Sequence, residues 1–413
     1  MMWRALYTLA LRAAAPFLVL RLWWRGRREP GYRRWVGERF GYYKDEPPGR
    51  PLLWLHAVSV GEARASAALV RALAAANPGH EILATCTTAA GRETLRELHG
   101  ESVRHAWLPY DQPGTVRRFL EHFRPRLGVL VETEIWPNLL AACDAWGVPV
   151  LLANARMSEK SARGYGRWRG LARPAFASLS AACAQSEEDA ARLRALGVRR
   201  VEVTGNLKFD VVPGQAKHAE GRAWRERLGR PVLLLASTRE GEEKMLLDAM
   251  PPWDGLALIV PRHARRFEEI APLSQSRRSR GEFPGSRDRV HLGDSMGEMD
   301  FYYAASDVAV IGGSFAPLGG QNLIEACAAG VPAVLGPSMF NFSEATRLAL
   351  AAGAAVQAAD APGGMRAALR LLSEPEERKK MGQAGLRLCE AHRGATQKHL
   401  QICRELLKTP ARG

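Results

Sequence analysis

The sequence predicts an α/β chain of two Rossmann-like, doubly wound domains facing a central cleft, preceded by a membrane-associated helix. Three observations predict it. From about Pro51 onward, short apolar runs alternate with helical patterns, the signature of a parallel sheet covered on both faces. The alternation pauses near residues 205–225 and then begins again. The first 50 residues stand apart by charge, with eleven Arg/Lys against four Asp/Glu.

The chain begins MMWRALYTLALRAAAPFLVLRLWW, with no acid and three arginines, Arg4, Arg12 and Arg21. Its longest uncharged run, Ala13 to Leu20, falls short of the ~20 apolar residues of a spanning helix. On a helix rising ~1.5 Å per residue, Arg4 and Arg21 lie about 25 Å apart, so only Arg12 would sit deep. A long arginine side chain can snorkel from there. Trp3, Trp23 and Trp24 suit headgroup level. A segment lying in the membrane interface or barely spanning fits these features. A helix packed on the protein and a cleaved signal peptide ending near Ala13-Ala14-Ala15 are the alternatives, and Arg12 speaks against the peptide. Arg25, Arg27, Arg28, Arg33 and Arg34 follow at once, which places the rest of the chain on the cytoplasmic face.

The first α/β half reads as strands over 51–58, 81–87, 127–134, 148–155, 181–186 and 201–206. Helical spacing between them is clearest from Glu62 to Ala75, with Ala65, Leu69 and Leu73 on one side. The second half reads as strands over 231–238, 256–262, 307–313 and 331–337. The basic stretch 274–289 reads as an exposed loop, and a helical tail over 376–407 closes the chain. The expected division is a basic N-terminal segment 1–45, a first Rossmann-like domain 46–210, a second 211–385 and a helical tail 386–413.

Ligands of doubly wound sheets bind beyond the carboxyl ends of the strands, so the residues just after each strand carry the functional information. Glu62 follows the first strand and a glycine turn, at the start of a helix. It reads either as a first-turn acid favoured by the helix dipole or as a general base that the dipole keeps ionised. Glu132 and Glu134 end the third strand, before Trp136-Pro137 opens a helix. The pair resembles a metal-binding spacing, but no histidine or third acid lies nearby in sequence, which favours placement of substrate. Arg262 ends a strand of the second half and suits bidentate contact with an anion; a surface arginine is the bland alternative. In IGGSFAPLGGQNLIEA, 311–326, a strand ends in Gly312-Gly313, a loop closes with Gly319-Gly320, and a helix is expected from Gln321 or Asn322. Glycines there would let amides approach a phosphate, and Glu325 in the first turn would reach a ribose. Together these features read as a nucleotide site of a two-domain glycosyltransferase.

Composition narrows the partners. The net charge of +15 points to a polyanion, an acidic membrane or a phosphorylated substrate. No basic run is interleaved with aromatics, which argues against nucleic acid. Six scattered cysteines without a C-x-x-C pair exclude a zinc ribbon.

The chain resembles the 3-deoxy-D-manno-oct-2-ulosonic acid (Kdo) transferases of lipid A biosynthesis. The matching blocks are ERFG (38–41), HAVSVGE (56–62), ETEIWPN (132–138), NARMSEKS (154–161), TGNLKFD (204–210), IVPRH (259–263), GEMDFYYAASD (297–307) and GGSF…GGQNLIEA (312–326). They run in family order over nearly the whole chain. The resemblance implies a GT-B fold and a metal-independent, inverting transfer from CMP-Kdo to a primary hydroxyl of a lipid A precursor, with no cofactor. It makes Glu62 the general base. It places Lys208, Arg262, Gly312, Gly313, Ser314, Gly320, Asn322 and Glu325 at the nucleotide-sugar site. An N-terminal anchor in the inner membrane, facing the cytoplasm, is typical of the family. Arg33, Arg34 and Arg39 are candidates for the acceptor phosphate, and plain attraction to an anionic membrane surface explains them equally well. The chain departs from the family pattern at Arg239, usually histidine, at Gln321, usually histidine, and at Ala326, usually proline. A GT-B enzyme using another nucleotide sugar or acceptor is the nearest alternative, since fold alone does not fix either.

Overall fold

Leu52–His56 (β1) is buried along its whole length, with no alternation of inside and outside residues. A strand that is apolar on both faces needs cover on both, and this one obtains it inside a parallel sheet. The structure, a computed structural model, describes residues 2–210 and 213–408. The chain divides into two units, residues 1–210 with 393–413, and residues 211–392.

The first unit adds Glu81–Cys86 (β2), Arg104–Trp107 (β3), Pro125–Val131 (β4), Val150–Ala155 (β5), Ala181–Ala184 (β6) and Val201–Val203 (β7). All seven are parallel, in the order β3-β2-β1-β4-β5-β6-β7. The order reverses between β1 and β4, the point at which doubly wound sheets open a crevice. One face is closed by a cluster containing Trp54, Phe119, Phe123 and Phe176. The other is closed by Leu69, Leu73 and Leu95 together with Leu400, Ile402 and Cys403 from the end of the chain.

The second unit repeats the plan with Val232–Thr238 (β8), Leu256–Pro261 (β9), Ser276–Arg277 (β10), Val290–Leu292 (β11), Val308–Ile311 (β12), Ala333–Leu335 (β13) and Ala355–Gln357 (β14). The order is β10-β11-β9-β8-β12-β13-β14, again all parallel, with its reversal between β8 and β12. Here the stretch 274–289 departs from expectation. It contributes β10 and a 3₁₀ turn, and its Arg277 is buried. Asp294 at 2.8 Å and Glu268 at 2.6 Å neutralise that arginine, which is how a basic segment comes to be packed.

The tail is also not one helix. Pro375–His392 belongs to the second unit and Ala395–Lys408 to the first. The break falls at Gly394, whose φ of 96 suits glycine. Asp210 caps the last helix, accepting from the Gly394 amide at 2.7 Å and the Thr396 amide at 2.5 Å. Farther along that helix, the Nε2 of His399 accepts from the Asn154 amide at 2.9 Å.

The N-terminal helix, Met2–Arg28, continues through Pro16. It rests on the first unit. Trp3 meets Trp168 edge to face at 6.3 Å, Thr8 hydrogen-bonds Asn138, and the Leu11 carbonyl accepts from Gln112. The opposite side is exposed, with Phe17 71%, Leu20 65%, Trp23 62% and Trp24 62% accessible.

Candidate functional site

The turn after β1 is built by a capping box. Ser59 is extended, with φ −114 and ψ 164, and its hydroxyl accepts from the Glu62 amide, which starts the helix Val60–Ala76. The Glu62 carboxylate folds back, accepting from the Val58 amide at 2.7 Å and from the Ser59 hydroxyl at 2.9 Å. Glu62 is buried at 9% exposure. Burial, aided by the negative charges of Glu132 and Glu134, pushes its carboxyl up to about 7 against the pull of its two hydrogen bonds. The helix dipole was expected to keep this group ionised. Desolvation outweighs it, and the result is a carboxyl that changes charge near neutral pH.

Glu132 and Glu134 lie beyond the end of β4, in a turn and not on one strand face as expected. Glu132 holds a left-handed backbone, with φ 63, a conformation that costs about 1–3 kcal/mol outside glycine. Its side chain meets the Lys208 ammonium at 3.4 Å. Glu134 accepts from the Trp136 indole at 2.9 Å, and its carboxyl is pushed up by burial and by Glu132. His56 lies beneath, wholly buried, with Nε2 4.0 Å from Glu134. Burial drives its ring down to about 3, so it stays neutral. The first crevice thus gathers Glu62, Glu132, Glu134 and Lys208. Among the described residues, no group of three or more His, Cys, Asp or Glu side chains is arranged to hold a metal ion.

In the second unit, sequence reasoning missed the organising residue. Glu242 is fully buried. Its carboxylate accepts from the amides of Arg239 at 2.9 Å, Gly313 at 2.5 Å, Phe315 at 3.2 Å and Ala316 at 3.4 Å. It therefore ties the turn after β8 to the glycine loop after β12. The available signal was the acid spacing of STREGEE (237–243), which resembles a helix-start pattern.

The hydrogen bonding around this loop departs from expectation at several points. The Gly313 amide is committed to Glu242, and the Gly312 amide to the Ala236 carbonyl at 2.8 Å, so neither is offered to a phosphate. Gly312 is required for packing, because a Cβ there would lie 2.5 Å from the Ser237 carbonyl oxygen. Ser314 is fully buried and its hydroxyl binds the Ile311 carbonyl and the Gly336 amide. Gly320, also buried, supplies a turn with φ 74, and its amide binds the Gly313 carbonyl at 2.7 Å. The helix expected from Gln321 starts at Ile324 and spans five residues to Ala328, too short for much dipole.

What this loop presents is side chains. Asn322 caps that short helix through the Ile324 amide and donates to Glu325 at 3.0 Å. Gln321 accepts from Arg262 at 3.1 Å. Arg239, where the family pattern has histidine, lies beside Gly313 and pairs with Glu240 at 3.1 Å. Burial, and then the neighbouring charges of Arg262, Arg239 and Arg265, hold the His263 ring below its ordinary range. This cluster can hold an anion, and Glu325 stands in the first turn of the short helix that follows the loop.

The acceptor-phosphate candidates separate. Arg39 is buried at 3% exposure, stacked 3.9 Å from Trp107 and bonded to the Thr87 carbonyl, so it is a packing residue and not a surface cation. Arg33 is exposed and covers the Trp23 ring at 4.4 Å, and Arg34 is exposed.

A family model described as 3-deoxy-D-manno-octulosonic-acid transferase (kdotransferase) matches residues 34–211. The chain is 47% identical to a 3-deoxy-D-manno-octulosonic acid transferase of Bordetella pertussis, over 98% of this chain and 100% of that one. It is 33% identical to the enzyme of the same description from Haemophilus influenzae, over 98% of this chain and 99% of that one. Among solved structures, it is similar to a glycosyltransferase from Rickettsia africae, with TM-score 0.57 and 14% identity, over 88% of this chain and 100% of that one. That likeness concerns the fold alone, two doubly wound α/β units of the GT-B class.

Proposed function

Because the chain belongs to the Kdo transferase family, glycosyltransferases that add Kdo in lipopolysaccharide biosynthesis, we propose that it moves Kdo from CMP-Kdo to a primary hydroxyl of a lipid A precursor, with Glu62 as general base. One observation carries the assignment of the base: a buried carboxyl at the sheet's reversal point, poised near neutrality. A base acts best when its pKa lies near the working pH. Glu62 accepts the proton of the acceptor hydroxyl as that oxygen attacks the anomeric carbon. Transfer passes through an oxocarbenium-like state, and the departing CMP gains negative charge. Arg262 and Arg239 meet that charge, Glu325 holds the ribose, and Lys208 fixes Glu132. CMP carries one phosphate, so arginines suffice and the reaction proceeds without a metal.

The test is incubation of purified protein with CMP-Kdo, generated in place, and a tetraacylated lipid A precursor in detergent, read by product mass. Kdo additions are expected, unchanged by EDTA. No addition, with CMP still bound, would move the reading to another sugar or acceptor.

The N-terminal helix is the membrane element of this proposal. Met2–Arg27 is long and apolar enough to cross a bilayer. Its contacts with Trp168, Asn138 and Gln112 favour a helix that lies on the cytoplasmic face of the inner membrane, with its Phe17 side dipped in. Phe17→Ser with Leu20→Ser should lower liposome binding at least ~10-fold, since each buried side chain of this size is worth about 1.5–3 kcal/mol. The melting temperature should not move, because both residues are exposed.

A further inference from the structure

We propose that a basic cavity in the first unit, none of whose lining residues is assigned to transfer, binds the headgroup phosphate of an anionic membrane lipid. The cavity lies between helices Glu159–Arg167, Arg169–Ala177 and Glu187–Leu196 and encloses about 350 Å³. Arg169, Arg173 and Arg192 line it over an apolar floor that includes Ala172 and Leu196, and no carboxylate lines it. Arg169 and Arg173 are four residues apart and share one helix face. Both are exposed and, among the described residues, neither has an ion pair or hydrogen bond. Arg192 is held in place, donating to the Met157 carbonyl at 3.1 Å, with Asp189 4.0 Å away. Guanidinium forks match phosphate oxygens.

The surroundings select a lipid over a free phosphate. The helix that carries both arginines also carries the contact with the N-terminal helix. A Cβ on Gly170 would come within 2.3 Å of the Trp3 ring, so the two helices touch there. The Trp3 and Trp168 rings meet at that point and remain 45% and 61% exposed. Arg169 stands between Trp168 and Gly170 in sequence. A phosphate held by Arg169 and Arg173 therefore has exposed apolar surface beside it, continued along the N-terminal helix by Leu6 and Leu9. A free anion would use only the first of these features. The proposal rests on the reading of that helix as lying in the membrane.

The test is flotation of the full chain on phosphatidylcholine liposomes, with and without phosphatidylglycerol. Wild type should bind both and gain from phosphatidylglycerol. Arg169→Gln with Arg173→Gln should keep the phosphatidylcholine level and lose roughly ten-fold of the gain. Lys379→Gln with Lys380→Gln, exposed in the second unit, removes equal charge and should keep most of it. If the first variant behaves as wild type, or the second loses as much, the site is overturned. A thermal shift with monomeric dihexanoyl phosphatidylglycerol reads the cavity without a bilayer. A shift in wild type and none in the Arg169/Arg173 variant supports the site. An equal shift from inorganic phosphate alone overturns the lipid assignment. Failure of wild type to float on either liposome removes the membrane reading, and the soluble-lipid shift then decides the cavity by itself.

Discussion

Glu62→Gln should lower turnover by at least ~10², the usual worth of a general base, while leaving the fold intact or firmer. The amide keeps the shape of the carboxylate. Its oxygen can still accept from the Val58 amide, and the Ser59 hydroxyl can turn to accept from its NH₂, so the capping box survives. In wild type the rate should rise with pH through about 7, as the carboxyl becomes able to take a proton. Stability should run the other way. A carboxyl raised from 4.5 to about 7 on folding stabilises the fold fully below its unfolded value and loses that contribution as pH climbs through its folded value. At ~1.4 kcal/mol per unit the loss is of order 3 kcal/mol. The glutamine variant suffers no such loss. Its melting temperature should match wild type near pH 5 and exceed it at pH 8. Single-turnover rates and melting curves across that range check both halves. Undiminished turnover would remove Glu62 from the role.

Glu242→Ala should be the most damaging change in the second unit. It orphans the amides of Arg239, Gly313, Phe315 and Ala316 around a fully buried position. An unsatisfied buried donor costs about 1–3 kcal/mol, and the two closest alone bring the loss to roughly 2–6 kcal/mol. For a unit of this size that is a fall of roughly 10 °C. Donor binding should be lost with it, since the loop bearing Gln321, Asn322 and Glu325 is tied down through the same carboxylate. Glu242→Gln should fall between, because one acceptor oxygen remains while an NH₂ group faces donors. Calorimetry and CMP titration separate the two effects. An unchanged melting temperature in the alanine variant would contradict the account.

The central strands were legible because they are continuous apolar runs, buried on both faces. The strands missed were β3, β10, β11 and β14, all short and at or next to a sheet edge. Local apolarity is weak there, and partners supply the order. Arg277 shows why: its burial depends on Asp294 and Glu268, which composition cannot place. The Glu62 turn was legible from strand, glycine and acid in succession, but the direction of its proton affinity was not. That depends on how much water the folded protein removes. The glycine loop was found, but not that its Gly312 and Gly313 amides are bonded within the protein. A glycine kept for a phosphate and a glycine kept for a neighbouring backbone look alike in sequence, and only the position of Glu242 tells them apart.

The placement of the last helix, Ala395–Lys408, in the first unit has a consequence for biosynthesis. The ribosome delivers residues 211–392 before the piece that closes one face of the first sheet. At roughly 5–20 residues per second that wait is on the order of ten to forty seconds. Through it the nascent first unit has neither Leu400 nor Ile402 over its core, nor His399 on the Asn154 amide. Its folding is therefore completed only after the whole second unit has been made, and a ribosome stalled anywhere within that unit would display a sticky, unfinished first one.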